Sequence, residues 1–260
     1  MTSSSSNWYK RWRTKEEHEG LTWGMAIDGT QFYEAFLKTG SKIDENDIVC
    51  EIGAGYGRIF DTFSEKFSFK KWYMVEISPK RSEDLKRKYK NDPGVVVLCQ
   101  NVDLLELPEK FDVGISSLTF KHLYPDCSIA FSNVSRYMKK DGFFVFDIIV
   151  SDKDSILFEE ASIVNCFAED TLKDFINFAG LAVEEKGVVD YPVGPRNIYR
   201  LGKRTLSKST LKKNELNRKR LSLQRQCRVL EDYSINLHNK LQRIRKTLPY
   251  RVARKLRIIR

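Results

Sequence analysis

The sequence has few of the features that mark secreted, metal-binding or membrane-spanning proteins. Its five cysteines form no C-x-x-C pair or other ligand spacing, which argues against a zinc or iron-sulfur motif and predicts reduced, cytoplasmic thiols. The first twelve residues lack the apolar run of a signal peptide, and the longest apolar stretch, residues 142–150, is interrupted by Asp147. We therefore expect no metal site, no secretory leader and no membrane-spanning segment.

Acidic charge is scarce in the last sixty residues. Residues 201–260 carry 19 Lys and Arg against three acids, a net charge of +16, whereas residues 1–200 carry a net charge of −6. A basic tail favours a polyanionic partner, either nucleic acid or an anionic membrane surface, and the acidic body does not. The tail and the body therefore have different roles.

From about residue 45 the sequence alternates between apolar strands and amphipathic helices. The strands are predicted at residues 47–52, 71–77, 95–101, 111–117, 143–150, 182–189 and 197–202, and the helices at 58–67, 80–90, 127–139 and 171–180. Asp170 is predicted to cap the last of these helices. The pattern predicts an α/β fold with a doubly wound, seven-stranded, mostly parallel sheet, whose last two strands form an antiparallel edge pair.

Beyond residue 205 the apolar residues recur every seven positions, which is typical of a coiled coil. These positions are Leu216, Leu223, Leu230, Leu237 and Ile244. The second core position is held by Arg220, Cys227 and Ser234, so the seam is either weak or packs on the body. We predict a heptad helix over 211–248 that holds a homo-oligomer. A basic amphipathic end over 250–260 is predicted to contact anionic membrane.

The segment EIGAGYGR, residues 51–58, is a glycine turn between a buried strand and a helix. Such a turn can simply reverse the chain, but with these flanks it is typical of a nucleotide-type site. Its spacing is G-x-G-x-G, and Arg58 takes the place of the last glycine of a dinucleotide fingerprint. The turn therefore argues against NAD or FAD.

Five segments in register resemble class I S-adenosylmethionine-dependent methyltransferases. They are VCEIGAGYGR, YMVEIS, NVDLLELP, FDVGISSLTFKHL and SRYMKKDGFFVF. The resemblance implies a Rossmann-like methyltransferase domain over 45–204 with S-adenosylmethionine as its cofactor. Residues 1–44 are then an N-terminal cap, disordered at its start, and 205–260 form a basic helical tail.

The resemblance also implies the residues that bind the cofactor. Glu51 is placed to receive the methionine ammonium, Glu76 the ribose hydroxyls and Asp103 the adenine amino group, with Val102 and Leu104 flanking the ring. The full predicted set is Glu51, Gly53, Gly55, Gly57, Glu76, Ile77, Val102, Asp103 and Ser117. No metal is needed, because the cofactor carries an already activated methyl group.

If the acceptor is a hydroxyl, a base must remove its proton. His122, after the fourth strand, is the first candidate and Asp147, on the fifth, is the second, although a histidine at this place is also a common wall residue. Tyr124 and Tyr56 are predicted to line the acceptor pocket. The N-terminal cap is predicted to close the cofactor side with Trp23, Asp28 and Phe32.

The sequence gives weaker evidence about the methyl acceptor than about the cofactor. SSLTFKHL replaces the Asn-Pro-Pro-Tyr motif of enzymes that methylate nucleobase amines, and no RNA-binding module precedes the core. The charged helix and basic end resemble closing segments of bacterial enzymes that build surface glycans. We predict O-methylation of a saccharide or other hydroxyl-bearing small molecule. An RNA methyltransferase and a non-catalytic scaffold acting through its coiled coil are the alternatives. The tail is expected to localise the enzyme, leaving a body that folds and binds cofactor without it.

Overall fold

A seven-stranded sheet lies at the centre of the structure, a computed structural model that describes residues 28–158 and 163–246. Within those residues the strands are β1 (Ile48–Ile52), β2 (Lys71–Glu76), β3 (Val95–Cys99), β4 (Phe111–Ser116), β5 (Met138–Ile148), β6 (Val150–Ser151), β7 (Ser155–Phe158), β8 (Ile163–Ala168), β9 (Leu181–Tyr191) and β10 (Gly194–Lys203). The helices are α1 (Thr30–Lys38), α2 (Arg58–Ser64), α3 (Pro79–Lys88), α4 (Ser128–Tyr137), α5 (Glu169–Phe178) and α6 (Lys208–Lys246), with 3-10 turns at Val102–Leu104 and Phe120–His122.

The large sheet has the strand order β3-β2-β1-β4-β5-β10-β9. The strands from β3 to β5 are parallel, and β10 is antiparallel to both β5 and β9. The predicted fold class is confirmed, including the antiparallel pair at the edge. The strand order reverses between β1 and β4, and ligands of open α/β sheets bind beside the carboxyl ends of the strands at such a point.

Two apolar layers bury the sheet on both faces. One contains Phe120, Phe144 and Phe146, and the other contains Phe63 and Trp72. Every residue of β1 is buried, including Glu51 within the otherwise apolar segment Ile48 to Ile52, as expected of a central parallel strand. The carboxyl ends of these strands are therefore held rigidly, and the loops that follow them form the site.

A small second sheet, in the order β6-β8-β7, follows β5 and was not predicted. Its strands are short, and one is only two residues long, so they leave little periodicity in the sequence. The capping prediction for Asp170 is wrong. Helix α5 begins at Glu169 after Ala168, and Asp170 lies in its first turn, where a carboxylate favours the helix dipole.

Helix α6 confirms the predicted long C-terminal helix and has two different sides. The five heptad residues are all about half or more exposed, from 47% for Leu237 to 64% for Leu216. Ser222, Arg225 and Val229 lie on another side and are buried against the body. The heptad stripe therefore does not pack on the body, whereas a mostly polar face does. The predicted basic end, 250–260, and most of the N-terminal cap, residues 1–27, lie outside the described residues.

Candidate active site

The glycine turn joins β1 to α2 and places all three glycines at positive φ, between 58° and 81°. A Cβ on Gly53 would collide with Thr119, and one on Gly57 would collide with the Tyr89 hydroxyl. A Cβ on Gly55 would meet only one atom within 4 Å, the Gly53 carbonyl oxygen at 3.9 Å. Two glycines therefore permit close packing of the protein on itself, and the third leaves room for a ligand to approach the backbone.

Glu76 ends β2 directly beside that turn. Its Oε2 accepts a hydrogen bond from the Gly55 N–H and its Oε1 accepts one from the Ser78 N–H, both at 2.9 Å. Burial raises the pKa of Glu76, while Arg81 and the backbone N–H groups oppose that rise. The carboxylate is thus fixed in position by the backbone, and its remaining lone pairs can accept from ligand hydroxyls.

Glu51, on β1, is fully buried under the turn. Its Oε2 accepts a hydrogen bond from Trp72 Nε1 at 3.0 Å. Burial raises the pKa of Glu51 to about 8, although the Trp72 hydrogen bond and the charge of Arg58 oppose this. The carboxyl group therefore holds its proton at neutral pH, and a cation bound nearby would favour its ionisation.

The loop after β3 carries Val102 and Asp103 on a 3-10 turn. The Asp103 N–H donates to Asn101 Oδ1 at 3.0 Å, and the Val102 carbonyl accepts from Asn133 Nδ2 at 2.9 Å. Val102 is buried, whereas Leu104 is 76% exposed. The backbone of this turn is thus fixed to α4. Ile77 directly follows β2, the strand next to β3, and is half-buried.

The ends of β4 and β5 meet in a buried network around Asp147. Its Oδ2 accepts from Ser117 Oγ and from the Tyr191 hydroxyl, each at 2.8 Å. The Leu118 N–H donates to both carboxylate oxygens. Leu118 has a φ of +57°, which costs a non-glycine residue about 1–3 kcal/mol. Asp147 thus holds the chain in a strained turn as it leaves β4.

Arg58 lies at the candidate site, whereas the sequence identifies it only as the residue that replaces the last glycine of a dinucleotide fingerprint. Its Nη2 donates to Ser117 Oγ at 2.6 Å, and its Nη1 donates to the Asp28 carbonyl at 3.2 Å. A basic residue at the start of a helix that follows a ligand-binding turn is the signal that could have found it. Tyr191 left no such signal, because it lies 44 residues from Asp147.

His122 and Tyr124 lie together on the loop after β4, four and six residues beyond Leu118 of the Asp147 network. His122 ends the 3-10 turn, and its N–H donates to the Thr119 carbonyl at 2.9 Å. Both residues are half-buried. The structure thus places the two predicted bases on different segments, His122 on the loop and Asp147 within β5.

The remaining predicted residues are divided between the site and the core. Phe32, on α1, is fully buried in the hydrophobic core, and its ring contacts that of Phe63. The backbone carbonyl of Asp28 accepts a hydrogen bond from Arg58, the first residue after the glycine turn. The Tyr56 ring packs under the Arg81 guanidinium at 5.0 Å, on the Glu76 side of the turn. Trp23 lies outside the described residues.

The fold and this cluster of loops indicate a methyltransferase, and comparison with known proteins points to the same class. Residues 50–146 match the family model described as a methyltransferase domain. The resemblance to class I S-adenosylmethionine-dependent methyltransferases is confirmed, and S-adenosylmethionine is the cofactor of that family. Among curated proteins no significant match was found.

Several solved structures share the fold at low identity. A 1,6-didemethyltoxoflavin-N1-methyltransferase from Burkholderia thailandensis, solved with S-adenosylhomocysteine, is 17% identical with a TM-score of 0.59, over 77% of this chain and 87% of that chain. An S-adenosylmethionine-dependent methyltransferase from Leishmania major is 19% identical with a TM-score of 0.59, over 76% and 82%. Magnesium protoporphyrin IX methyltransferase from Synechocystis is 14% identical with a TM-score of 0.53, over 78% and 92%.

The residues present fit S-adenosylmethionine. The room at Gly55 lies beside the backbone-held carboxylate of Glu76, and a buried carboxyl group, Glu51, lies under the same turn. Among the described residues, no cluster of His, Cys, Asp and Glu side chains is arranged to hold a metal ion. Nor does any helix in the same ranges have the length and apolar character needed to cross a membrane.

Proposed function

We propose that the chain binds S-adenosylmethionine at the glycine turn and transfers its methyl group to a hydroxyl of a saccharide or similar small molecule. The pairing of Glu76 with the Gly55 N–H carries this proposal, since it joins the first two motifs into one preformed site. Glu76 accepts from the ribose hydroxyls, Glu51 faces the ammonium, and Asp103 accepts from the adenine amino group. Gly53, Gly57, Ile77, Val102 and Ser117 complete the cofactor site.

Arg58 adds a contact for the cofactor carboxylate to that set. Its guanidinium lies at the glycine turn, next to Ser117 Oγ, and a guanidinium forms paired hydrogen bonds with a carboxylate. Glu51 and Arg58 then receive the two opposite charges of one amino-acid group.

When bound, the cofactor supplies a methyl group activated by its sulfonium. The residues of this chain would hold the acceptor hydroxyl beside that methyl group, and a base among them would take the proton of the hydroxyl. Alignment of the two reactants supplies most of the acceleration. We assign the base to His122 ahead of Asp147, because the Asp147 oxygens are directed at Ser117, Leu118 and Tyr191.

The acceptor class rests on weaker support than the cofactor. The similar structures include methyltransferases named for toxoflavin, porphyrin and glycopeptide substrates, which favours a small or saccharide-bearing acceptor. RNA remains the alternative because of the basic tail. A non-catalytic scaffold is favoured only by the exposed heptad stripe, and the intact carboxylates at Glu51, Glu76 and Asp103 argue against it.

We further propose a cytoplasmic protein whose tail contacts the inner face of the membrane. The exposed heptad stripe is proposed to pair with a second copy of the chain, since its five apolar residues recur at a coiled-coil spacing.

Calorimetry on Glu76→Ala tests the cofactor site. The variant removes an acceptor for two ribose hydroxyls, and each charge-assisted hydrogen bond is worth about 1.5–3 kcal/mol, so affinity for S-adenosylmethionine should fall at least about tenfold. Glu83→Ala is the control, because Glu83 is an exposed carboxylate of α3 paired with Lys86. Equal affinities of Glu76→Ala and wild type would remove the assignment.

Transfer from labelled S-adenosylmethionine to fractionated pools tests the acceptor class. We expect label in a glycan or small-molecule fraction, released by chemistry that cleaves an ether. Label in RNA alone would favour the alternative, and cofactor binding without label in any pool would favour the scaffold.

A further inference from the structure

Arg225, in the first half of α6, is a fully buried arginine far from the cofactor site in sequence. Its Nη1 donates to the Pro125 carbonyl at 3.0 Å and its Nη2 donates to Asn165 Oδ1 at 2.9 Å. Its Nε lies 3.4 Å from Asp154 Oδ1, and its Cζ lies 4.4 Å above the Phe167 ring. The guanidinium thus joins α6, the small sheet and the loop after β4.

Asn165 extends these contacts to the turn that carries His122. Its Nδ2 donates to the carbonyl of Leu123 at 2.7 Å and to that of Lys121 at 3.4 Å. These are the residues on either side of His122. The side chain of Asn165 is fully buried and is held between that turn and Arg225.

A second contact from α6 holds the same loop further on. Ser222 Oγ donates to Asp126 Oδ2 at 2.5 Å, and the Asp126 Oδ1 accepts from the N–H of Ser128. The loop from Lys121 to Ser128 is therefore fixed at both ends by groups that depend on α6.

The burial of the ion pair between Arg225 and Asp154 needs an explanation other than stability. A buried ion pair is often no more stabilising than apolar residues of the same volume, but it requires one arrangement of its partners. The planar guanidinium presents five N–H donors in a fixed fork on three nitrogens, whereas a lysine ammonium presents three donors on one rotatable nitrogen. The network thus specifies where the loop lies relative to α6.

We infer that Arg225 is a positioning residue for the turn that carries His122 and that it acts through Asn165. Helix α6 then holds the loop that carries His122 in place, in addition to forming the basic tail. The inference rests on the proposed function only in naming this turn the acceptor side, because the contacts themselves do not depend on any cofactor.

Nuclear magnetic resonance on the full chain tests the inference. The chain has only three histidines, so the ring signals of His122 can be assigned with a His122→Gln variant. Arg225→Lys and Asn165→Ala are compared with Arg228→Met. Arg228 is the matched control, because it lies on the same helix within 3.6 Å of the same Asp154 carboxylate but is 61% exposed.

In both Arg225→Lys and Asn165→Ala, the His122 ring signals should shift and the amides of His122 and Leu123 should exchange about tenfold faster. Sheet amides and the affinity for S-adenosylmethionine should be unchanged, and Arg228→Met should resemble wild type. The double variant should add little to the larger single effect, because both act on one path.

Two results would overturn the inference: turn amides within about twofold of wild type in both variants, or an equal acceleration across the whole sheet. Asn165→Ala decides the matter if Arg225→Lys does not fold. Failure of the wild type to bind S-adenosylmethionine would count against the proposed function and leave the exchange result intact.

Discussion

At the scale of single residues, the protonation of Glu51 is expected to make cofactor binding depend on pH. Its pKa of about 8 reflects burial, so at pH 7 the group is mostly protonated, and the cofactor ammonium would favour the ionised form. Binding should therefore release up to one proton, and the association constant should rise by up to about tenfold per pH unit between about pH 6 and 7.5. Calorimetry in buffers of different ionisation enthalpy measures both quantities.

Glu51→Gln is the control for that prediction, because it keeps an acceptor for Trp72 and cannot ionise. Its cofactor affinity should be nearly independent of pH. The raised pKa of Glu51 also lowers the free energy of unfolding as pH rises from about 4.5 towards 8, by up to about 1.4 kcal/mol per unit. Glu51→Gln should lose that slope too. An unchanged slope in the variant would assign the proton to another group.

The residues of the candidate site divide by how far apart in sequence their partners lie. The glycines and Glu76 could be predicted, because a strand, turn and helix bring them together locally. Tyr191 and Asn165 could not, since each acts on a partner more than forty residues away. Only the fold brings such pairs into contact.

At the scale of elements, α6 shows what hydrophobic periodicity detects and what it misses. The heptad pattern identified the helix and its exposed stripe. The docked face contains Ser222, Arg225 and Val229, at helical spacing but mostly polar, so an apolar pattern does not reveal it. The prediction that the body folds without residues 205–260 stays a prediction, and it has to account for Arg225, which this segment adds to the buried network of the body.

Two truncations separate the docked half of α6 from its exposed half. A chain that ends at Leu206 loses the buried Arg225 and Val229 and leaves Asp154 without that partner, so its free energy of unfolding should fall by at least about 3 kcal/mol. A chain that ends at Asp232 keeps these contacts and should match the full chain within about 0.5 kcal/mol. Urea denaturation measures both, and equal losses would show that the docked face contributes nothing.

At the scale of the whole molecule, charge is divided between an acidic body and a basic tail. A chain that ends at Asp232 loses nine Lys and Arg and no acid, which lowers the net charge from +10 to +1. Because this chain keeps the docked half of α6, it separates the charge of the tail from the structure of the site.

The last prediction follows from that difference in charge. Full-length protein should sediment with anionic phosphatidylglycerol liposomes at low salt, because each basic residue near the surface contributes up to about 1 kcal/mol. It should leave them as salt rises, since the Debye length falls to about 8 Å at physiological ionic strength. The chain that ends at Asp232 should sediment weakly at any salt concentration yet bind S-adenosylmethionine like the full chain. Full-length protein that ignores these liposomes but binds RNA with a steep salt dependence would instead assign the tail to nucleic acid and favour an RNA acceptor.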